Sequence, residues 1–428
     1  MEVSTTIIRL TVTLCCAVSK FVMNEWCSIE EVYAAYLDCK KRKSKSTSYT
    51  RFAANEAANI YSLWEDLNNR TYTIGRSDAF CVTRPKVREV FAAQFRDRIV
   101  HHLLMLRLLQ YFEEAFIEDT YNCRKNKGTD YGICRIARYM QNNSDKWVLK
   151  CDIKHFFMNI DKQLLANRLE VFIRGIYRRD DIDDVVTLVK QIVVHRPELN
   201  CIRKGDLGLW EVLPKGKSLF KSDGNHGLAI GNLTSQIFAN YYLTPLDNWL
   251  GNMDGVEYGR YVDDFVLVSE RERLLELIPE IRERLLGLGL TLHPDKIHLQ
   301  PVRHGIKFLG SVIKHDRLYA GNRTVSNAYE LARGYDRVKD KEGSIEKFAQ
   351  RYNSYMGYLI HKKSYAIRWD IWNEVPEEVK QYVYMTNGLE VMKVRNRYKE
   401  RNKLIEYYGK KHRKQKRIRR DGSCIYPQ

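Results

Sequence analysis

Tyr261-Val262-Asp263-Asp264, followed at once by Phe265-Val266-Leu267-Val268, sets two adjacent carboxylates against four apolar residues. Such a run reads as a buried strand, and Tyr258 to Val268 reads as two strands joined by a turn. A charge beside a buried strand must find a partner, because burying it unpaired is costly. A turn places Asp263 at the sheet rim, where it can meet a cation. Asp152 is similarly placed at the end of the apolar strand Trp147 to Ile153, in VLKCDIKHFF. Carboxylates from neighbouring strand ends can hold two divalent ions about 4 Å apart. Such ions can activate a hydroxyl nucleophile and neutralise a pyrophosphate leaving group. Oxygen donors completed by substrate phosphates suit Mg2+, two ions in all, with Mn2+ as a substitute.

The rest of the chain supports a large polyanion-binding protein. It has 428 residues, 71 Lys+Arg against 53 Asp+Glu, and a net charge of +18. That balance points to nucleic acid, and 44 % apolar residues exclude general disorder. The ten cysteines show no CxxC spacing, which argues against a zinc ribbon or a disulfide framework and suits a reducing interior. No apolar run reaches the roughly 20 residues needed to span a bilayer, so no membrane partner is expected. Met23 reads as a natural start, with residues 1–22 as a weakly ordered extension.

Helical spacing runs from Ile29 to Leu67, broken by a loop at Lys40–Ser48. A basic hairpin around Pro85 and a helix over Phe95–Phe112 follow. A helix is expected near Ile133–Tyr139, then helical segments to Val194. Residues 200–225 read as a β-hairpin insertion. A glycine turn at Gly227 opens a helix to Leu246. Leu274–Leu288 reads as an amphipathic helix, Ile306–Ile313 as a strand, and the chain after Ser326 as helical to Tyr408. Eight of the eleven residues from Lys410 to Arg420 are Lys or Arg, a candidate RNA-binding tail.

YVDD, preceded by DIKHFF and followed by LHPDKIHLQ, resembles the palm of a reverse transcriptase, with the motifs in family order from Thr83 to Arg368. The resemblance implies an α+β right-hand polymerase: fingers, a palm of antiparallel sheet plus helices, and a helical thumb. The expected division is an N-terminal extension with helices at 1–80, fingers and palm at 81–318, thumb at 319–408 and a basic tail at 409–428. Asp152 resembles the first metal-binding aspartate and Asp263 the second. Asp264 is the adjacent acid, and Ile153 joins them as a metal-binding position. Phe157 falls where the family places its steric gate against a ribose 2′-OH. Arg124 resembles the residue that grips the incoming triphosphate, with Lys125 and Lys127 as rivals. Arg88 resembles a basic fingers position near template or triphosphate. Lys296 resembles a lysine that protonates pyrophosphate as general acid. Phe308-Leu309-Gly310 resembles a hairpin supporting the primer end, although packing accounts for Phe308 equally well.

The element GLAIGNLTSQIFANYYLTPLD narrows the resemblance. Ile230-Gly231 and Ser235-Gln236 replace the QG and Ser-Pro pairs of group II intron and retron relatives. They are similar to reverse transcriptases of diversity-generating retroelements, as are Lys217-Ser218-Leu219-Phe220 and Asn353-Ser354-Tyr355-Met356-Gly357-Tyr358. This implies an RNA-directed DNA polymerase that copies a template-repeat RNA into adenine-mutagenic cDNA from dNTPs. Ile230, Gly231 and Gln236 would tune fidelity, and a small, basic, oligomeric accessory variability protein would assist, docking on the helices around 161–195. The setting implied is the cytoplasm of a bacterial host, with a phage or bacterial gene. A retron or phage-defence reverse transcriptase, a viral RNA-dependent RNA polymerase, and an RNA-binding protein on an idle polymerase scaffold are the competing readings. The histidines suggest no metal ligand.

Overall fold

The computed structural model describes residues 25–41, 46–83, 86–334 and 344–396. Residues 1–22, Pro85 at the tip of the expected hairpin, and the basic tail lie outside them. The chain divides into two compact units: residues up to 132 with 148–299, and 133–147 with residues from 300 onward.

The first unit opens with three helices, Ile29–Lys40, Thr47–Ala53 and Glu56–Asn68. Ser28 caps the first in a reciprocal capping box with Glu31. Val32, Ala35, Tyr36 and Cys39 line its buried face. The helix Phe95–Ala115 packs beside it and buries Ile99, Leu103, Leu104, Leu108 and Phe112 at helical spacing. Strands β1 (Ser77–Val82) and β2 (Arg88–Ala92) form the expected antiparallel hairpin. Strand β3 covers Trp147–Asp152, and helices at Lys162–Ile176 and Ile182–Val194 follow.

The expected hairpin at 200–225 is corrected. Its single strand, β4 (Cys201–Lys204), adds to β1 in parallel and has no partner within the insertion. Beyond it the chain makes short helical turns at Gly208–Glu211, Lys215–Lys217 and Leu219–Lys221. The cause is burial: Trp210, Leu213 and Leu219 fold onto Ala79 and Phe91 of the first sheet. Their irregular spacing suits a wrapped loop and cannot satisfy the period of two that a strand needs.

Helices Leu233–Tyr242 and Thr244–Gly251 lead into β5 (Glu257–Tyr261) and β6 (Asp264–Ser269). Helix Arg271–Gly287 and strand β7 (His298–Pro301) complete the layer, whose sheet order is β5-β6-β3-β7. Phe265, Val266, Leu267 and Val268 are all buried, as a strand with both faces covered requires.

In the second unit, the strand expected over Ile306–Ile313 is broken into β8 (Ile306–Phe308) and β9 (Ser311–Ile313) by a turn in which Leu309 and Gly310 take φ of 48° and 78°. Strand β10 (Leu318–Ala320) extends that sheet. Helices Asn322–Arg333, Ser344–Leu359, Tyr365–Asn373 and Glu377–Lys380 follow. The helical expectation fails at Val383–Val394, a hairpin of β11 (Val383–Thr386) and β12 (Val391–Val394). The four residues 387–390 make its turn, with Asn387, Gly388 and Leu389 at φ of 51°, 59° and 70°, and the Asn353 side chain clamps Met392 through both backbone groups. Among the described residues no helix is long and apolar enough to cross a membrane.

Candidate active site

Strands β5 and β6 pair from Glu257–Val268 to Tyr261–Asp264, so Val262 and Asp263 form a two-residue turn. Val262 has φ of 60°, an unfavourable backbone for a β-branched residue that the surroundings must enforce. Its N–H donates to Asn122 Oδ1 at 2.9 Å, and its carbonyl accepts from Arg260 Nη1 at 2.7 Å. Arg260 is fully buried. It pairs with buried Asp247 (Nε to Oδ1, 2.7 Å) and also donates to Asn240. Tyr258 donates to the same Asp247 carboxylate at 2.7 Å, and Asn240 holds the Asn122 carbonyl at 2.8 Å. A satisfied buried network thus underlies the acidic turn.

The sheet brings Asp152 to Asp263. The Ile153 N–H donates to the Asp263 carbonyl at 3.0 Å, and the His293 N–H to that of Asp152 at 2.8 Å. Burial raises the Asp263 carboxyl to about 6, and the Asp152 charge adds to the rise. Burial also raises Asp264, opposed by the Lys150 ammonium 3.0 Å away. Lys296 Nζ lies 2.6 Å from Asp152 Oδ2.

Among the described residues no three acidic, histidine or cysteine side chains converge into a ready metal cage. The oxygen donors are the Asp152 and Asp263 carboxylates, with Asp264 paired to Lys150. Two carboxylates finished by substrate phosphates are a fitting donor set for Mg2+. A cation there would relieve the repulsion that raises Asp263. A pH dependence follows. Below about 6 the Asp263 proton competes with a divalent cation, so cation affinity should fall about tenfold per pH unit on the acid side and level off above it. Calorimetric Mn2+ titration between pH 5 and 8 checks this; a flat profile would exclude Asp263 as a ligand.

The structure joins several expected positions. Ile153 is buried, and its N–H is spent on the Asp263 carbonyl. Half-buried Phe157 packs edge-on to Phe156, and its carbonyl accepts from the Leu228 N–H at 2.8 Å, which seats the glycine element beside it. The Ile230 carbonyl accepts from the Phe91 N–H at 2.9 Å, tying that element to β2. Gly231 has φ of 125°, and a Cβ there would stand 2.7 Å from the Phe91 oxygen and 2.9 Å from Val90 Cγ1. Exposed Arg88 shares the Val90 face of β2. Gly231→Ala should therefore cost about 2 kcal/mol of stability, read as a lower urea midpoint at unchanged slope. Gln236 accepts from the Cys123 thiol, adjoining Asn122.

Arg124, expected to grip the triphosphate, is engaged within the protein. Its guanidinium is bound to Glu113 at 2.8 Å and to the Thr120 hydroxyl at 3.0 Å, with the Ile117 carbonyl as a further acceptor. Lys127 is likewise held by Glu118 at 3.0 Å, while Lys125 is exposed. Lys150, Asn122, Asn240, Asp247 and Arg260 were not anticipated. Lys150 was legible, since it lies two residues before Asp152 and so on the same strand face; the others meet only across the fold.

A profile described as reverse transcriptase (RNA-dependent DNA polymerase) matches residues 83–313, more than half of the chain. The chain belongs to the reverse transcriptase family. The matched span of this family member holds Asp152, Phe157, Gly231, Asp263, Asp264 and Lys296, and its helices and antiparallel strands form the expected α+β architecture. No curated protein matches the sequence. Among solved structures, telomerase from Candida albicans with a fragment of telomeric RNA is similar at 10 % identity and a TM-score of 0.40, covering 76 % of this chain and 65 % of that one. Apo telomerase from Candida tropicalis is similar at 12 % identity and a TM-score of 0.45, covering 72 % and 57 %. This reverse transcriptase family member thus spans under two thirds of the length of those proteins.

Proposed function

We propose that the chain is an RNA-directed DNA polymerase, with Asp152 and Asp263 as the carboxylates of its nucleotidyl-transfer centre. The observation that carries the reading is their juxtaposition across β3 and the β5–β6 turn, where the Ile153 N–H bonds the Asp263 carbonyl and the Asp152 charge disfavours ionisation of Asp263. Mg2+, held by these two carboxylates and substrate phosphates, would lower the barrier by activating the primer 3′-hydroxyl and neutralising the leaving pyrophosphate. The protein's own groups divide the remaining work. Phe157 offers its ring against a ribose 2′-OH and thereby favours dNTPs. Arg88 offers a charge to template or triphosphate. Lys296, poised at Asp152, can carry a proton toward the leaving group.

The finer reading is an error-prone enzyme of a diversity-generating retroelement, working on a template-repeat RNA with a basic accessory protein. Its support is the sequence Ile230-Gly231-Asn232-Leu233-Thr234-Ser235-Gln236, which lies against β2 and beside Phe157. A looser grip on the nascent pair narrows the gap between right and wrong nucleotides, and each 1.4 kcal/mol lost is about tenfold in misincorporation. The test is cDNA synthesis by purified protein with Mg2+ and dNTPs on a defined RNA, with the products sequenced. An Asp263→Ala, Asp264→Ala double variant is the control. Activity lost in the control, with errors at template adenines, supports both readings. Uniform errors keep the polymerase and shift it to a retron or defence role. Inactivity even with cognate RNA and accessory protein leaves an RNA-binding scaffold.

A further inference from the structure

Arg124 is held by Glu113, and beside Lys296 at the Asp152 strand end the insertion brings a further cation. Its loop reaches the residues just after Asp152: Gly216 packs so tightly on the His155 ring that a Cβ there would lie 2.8 Å from Cδ2 and 3.1 Å from Nε2. His155 is itself held at φ of 52°, a left-handed backbone for a non-glycine residue. Lys217 directly follows Gly216, Lys154 adjoins His155, and Lys296 Nζ lies 2.6 Å from Asp152 Oδ2. The positively charged neighbourhood is thus built by three segments, and Lys217 is exposed.

The loop is anchored by a residue of the first sheet. Glu89 is buried, and its carboxylate accepts from the Trp210 indole N–H, the Ser218 hydroxyl and the Leu219 N–H, each at 2.8 Å. Ser218 and Leu219 directly follow Lys217. A buried carboxylate with three donors is an expensive group to retain and a rigid one once satisfied. It fixes the position of the loop tip against His155.

We infer that Lys217 is a triphosphate-binding residue, delivered to the polymerase centre by the insertion and held there by Glu89 and His155. The ligand is the polyphosphate of an incoming nucleoside triphosphate. This inference rests on the polymerase reading of Asp152 and Asp263. Glu89 is a positioning residue, since it acts through the loop.

The test is steady-state single-nucleotide extension on a fixed RNA template–DNA primer, with wild type, Lys217→Ala, Lys217→Arg and Glu89→Gln. Lys217→Ala should raise the KM for dNTP about tenfold or more, with kcat within about threefold. Lys217→Arg should restore most of it. Glu89→Gln should raise KM in the same direction, and Lys217→Ala should show the wild-type melting temperature because its side chain is exposed. Inhibition by inorganic pyrophosphate should weaken in parallel in Lys217→Ala. An unchanged KM for dNTP, or a weakened Kd for template–primer with KM unchanged, overturns the inference. Failure of the polymerase reading is separate: it appears as wild-type activity that survives Asp263→Ala.

Discussion

Purified Asp263→Asn protein should lose at least about a thousandfold in nucleotide incorporation, equivalent to about 4 kcal/mol of barrier, while its stability at pH 7 rises. The two effects share a cause. Burial and the Asp152 charge lift the Asp263 carboxyl to about 6, against 3.8 for an unperturbed aspartate. Holding it ionised in the native state therefore costs free energy at neutral pH, and an isosteric amide removes that cost. The gain should reach up to about 3 kcal/mol at pH 7, should shrink as pH falls through 6, and should vanish below about 4, where both states bind the proton. Urea unfolding at pH 4 and pH 7 measures it. A variant inactive and also destabilised at pH 7 would make Asp263 a structural residue, contrary to the role assigned to it.

Arg260→Met should be the most destabilising single change near the site. It leaves the Asp247 carboxylate buried and uncompensated and removes donors from Asn240 and the Val262 carbonyl. Breaking a buried ion pair from one side costs about 3–5 kcal/mol, enough to unfold much of a marginally stable domain. Adding Asp247→Leu should recover most of that stability, because the orphaned charge is gone. Activity should stay low in the double variant, since the Val262 carbonyl still lacks the guanidinium that holds the turn at positive φ. Unfolding midpoints and incorporation rates on the three proteins decide it. Recovery of both together would mean that the network stabilises the fold without shaping the turn.

The two carboxylates proposed for the chemistry were legible because they obey short-range rules. Asp152 and Asp263 sit at the ends of strands whose apolar runs have a period and length readable in one dimension. The hairpin at Asn387-Gly388 carried its turn signal in the sequence, and the helical spacing around it obscured that signal. The insertion at 200–225 misled because glycines and a proline mark turns without saying what the turns pack against. Trp210, Leu213 and Leu219 find their partners in Ala79 and Phe91, more than a hundred residues away.

Arg124 shows the same limit from the other side. A basic loop beside a polymerase motif has the composition of a phosphate grip. Which partner a guanidinium meets within the fold is set by distance and desolvation, and here it is Glu113, eleven residues earlier on another element. By itself the sequence determined the reverse transcriptase likeness, the α+β class, the two acidic strand ends and most helix positions, all of which follow from local periodicity and motif order. Only the tertiary structure decided the pairing of Lys150 with Asp264 and Lys296 with Asp152, the Arg260 network beneath Val262, and the seating of the insertion on His155. Those are contacts between residues distant in the chain or on facing strands, and burial and electrostatics act through space.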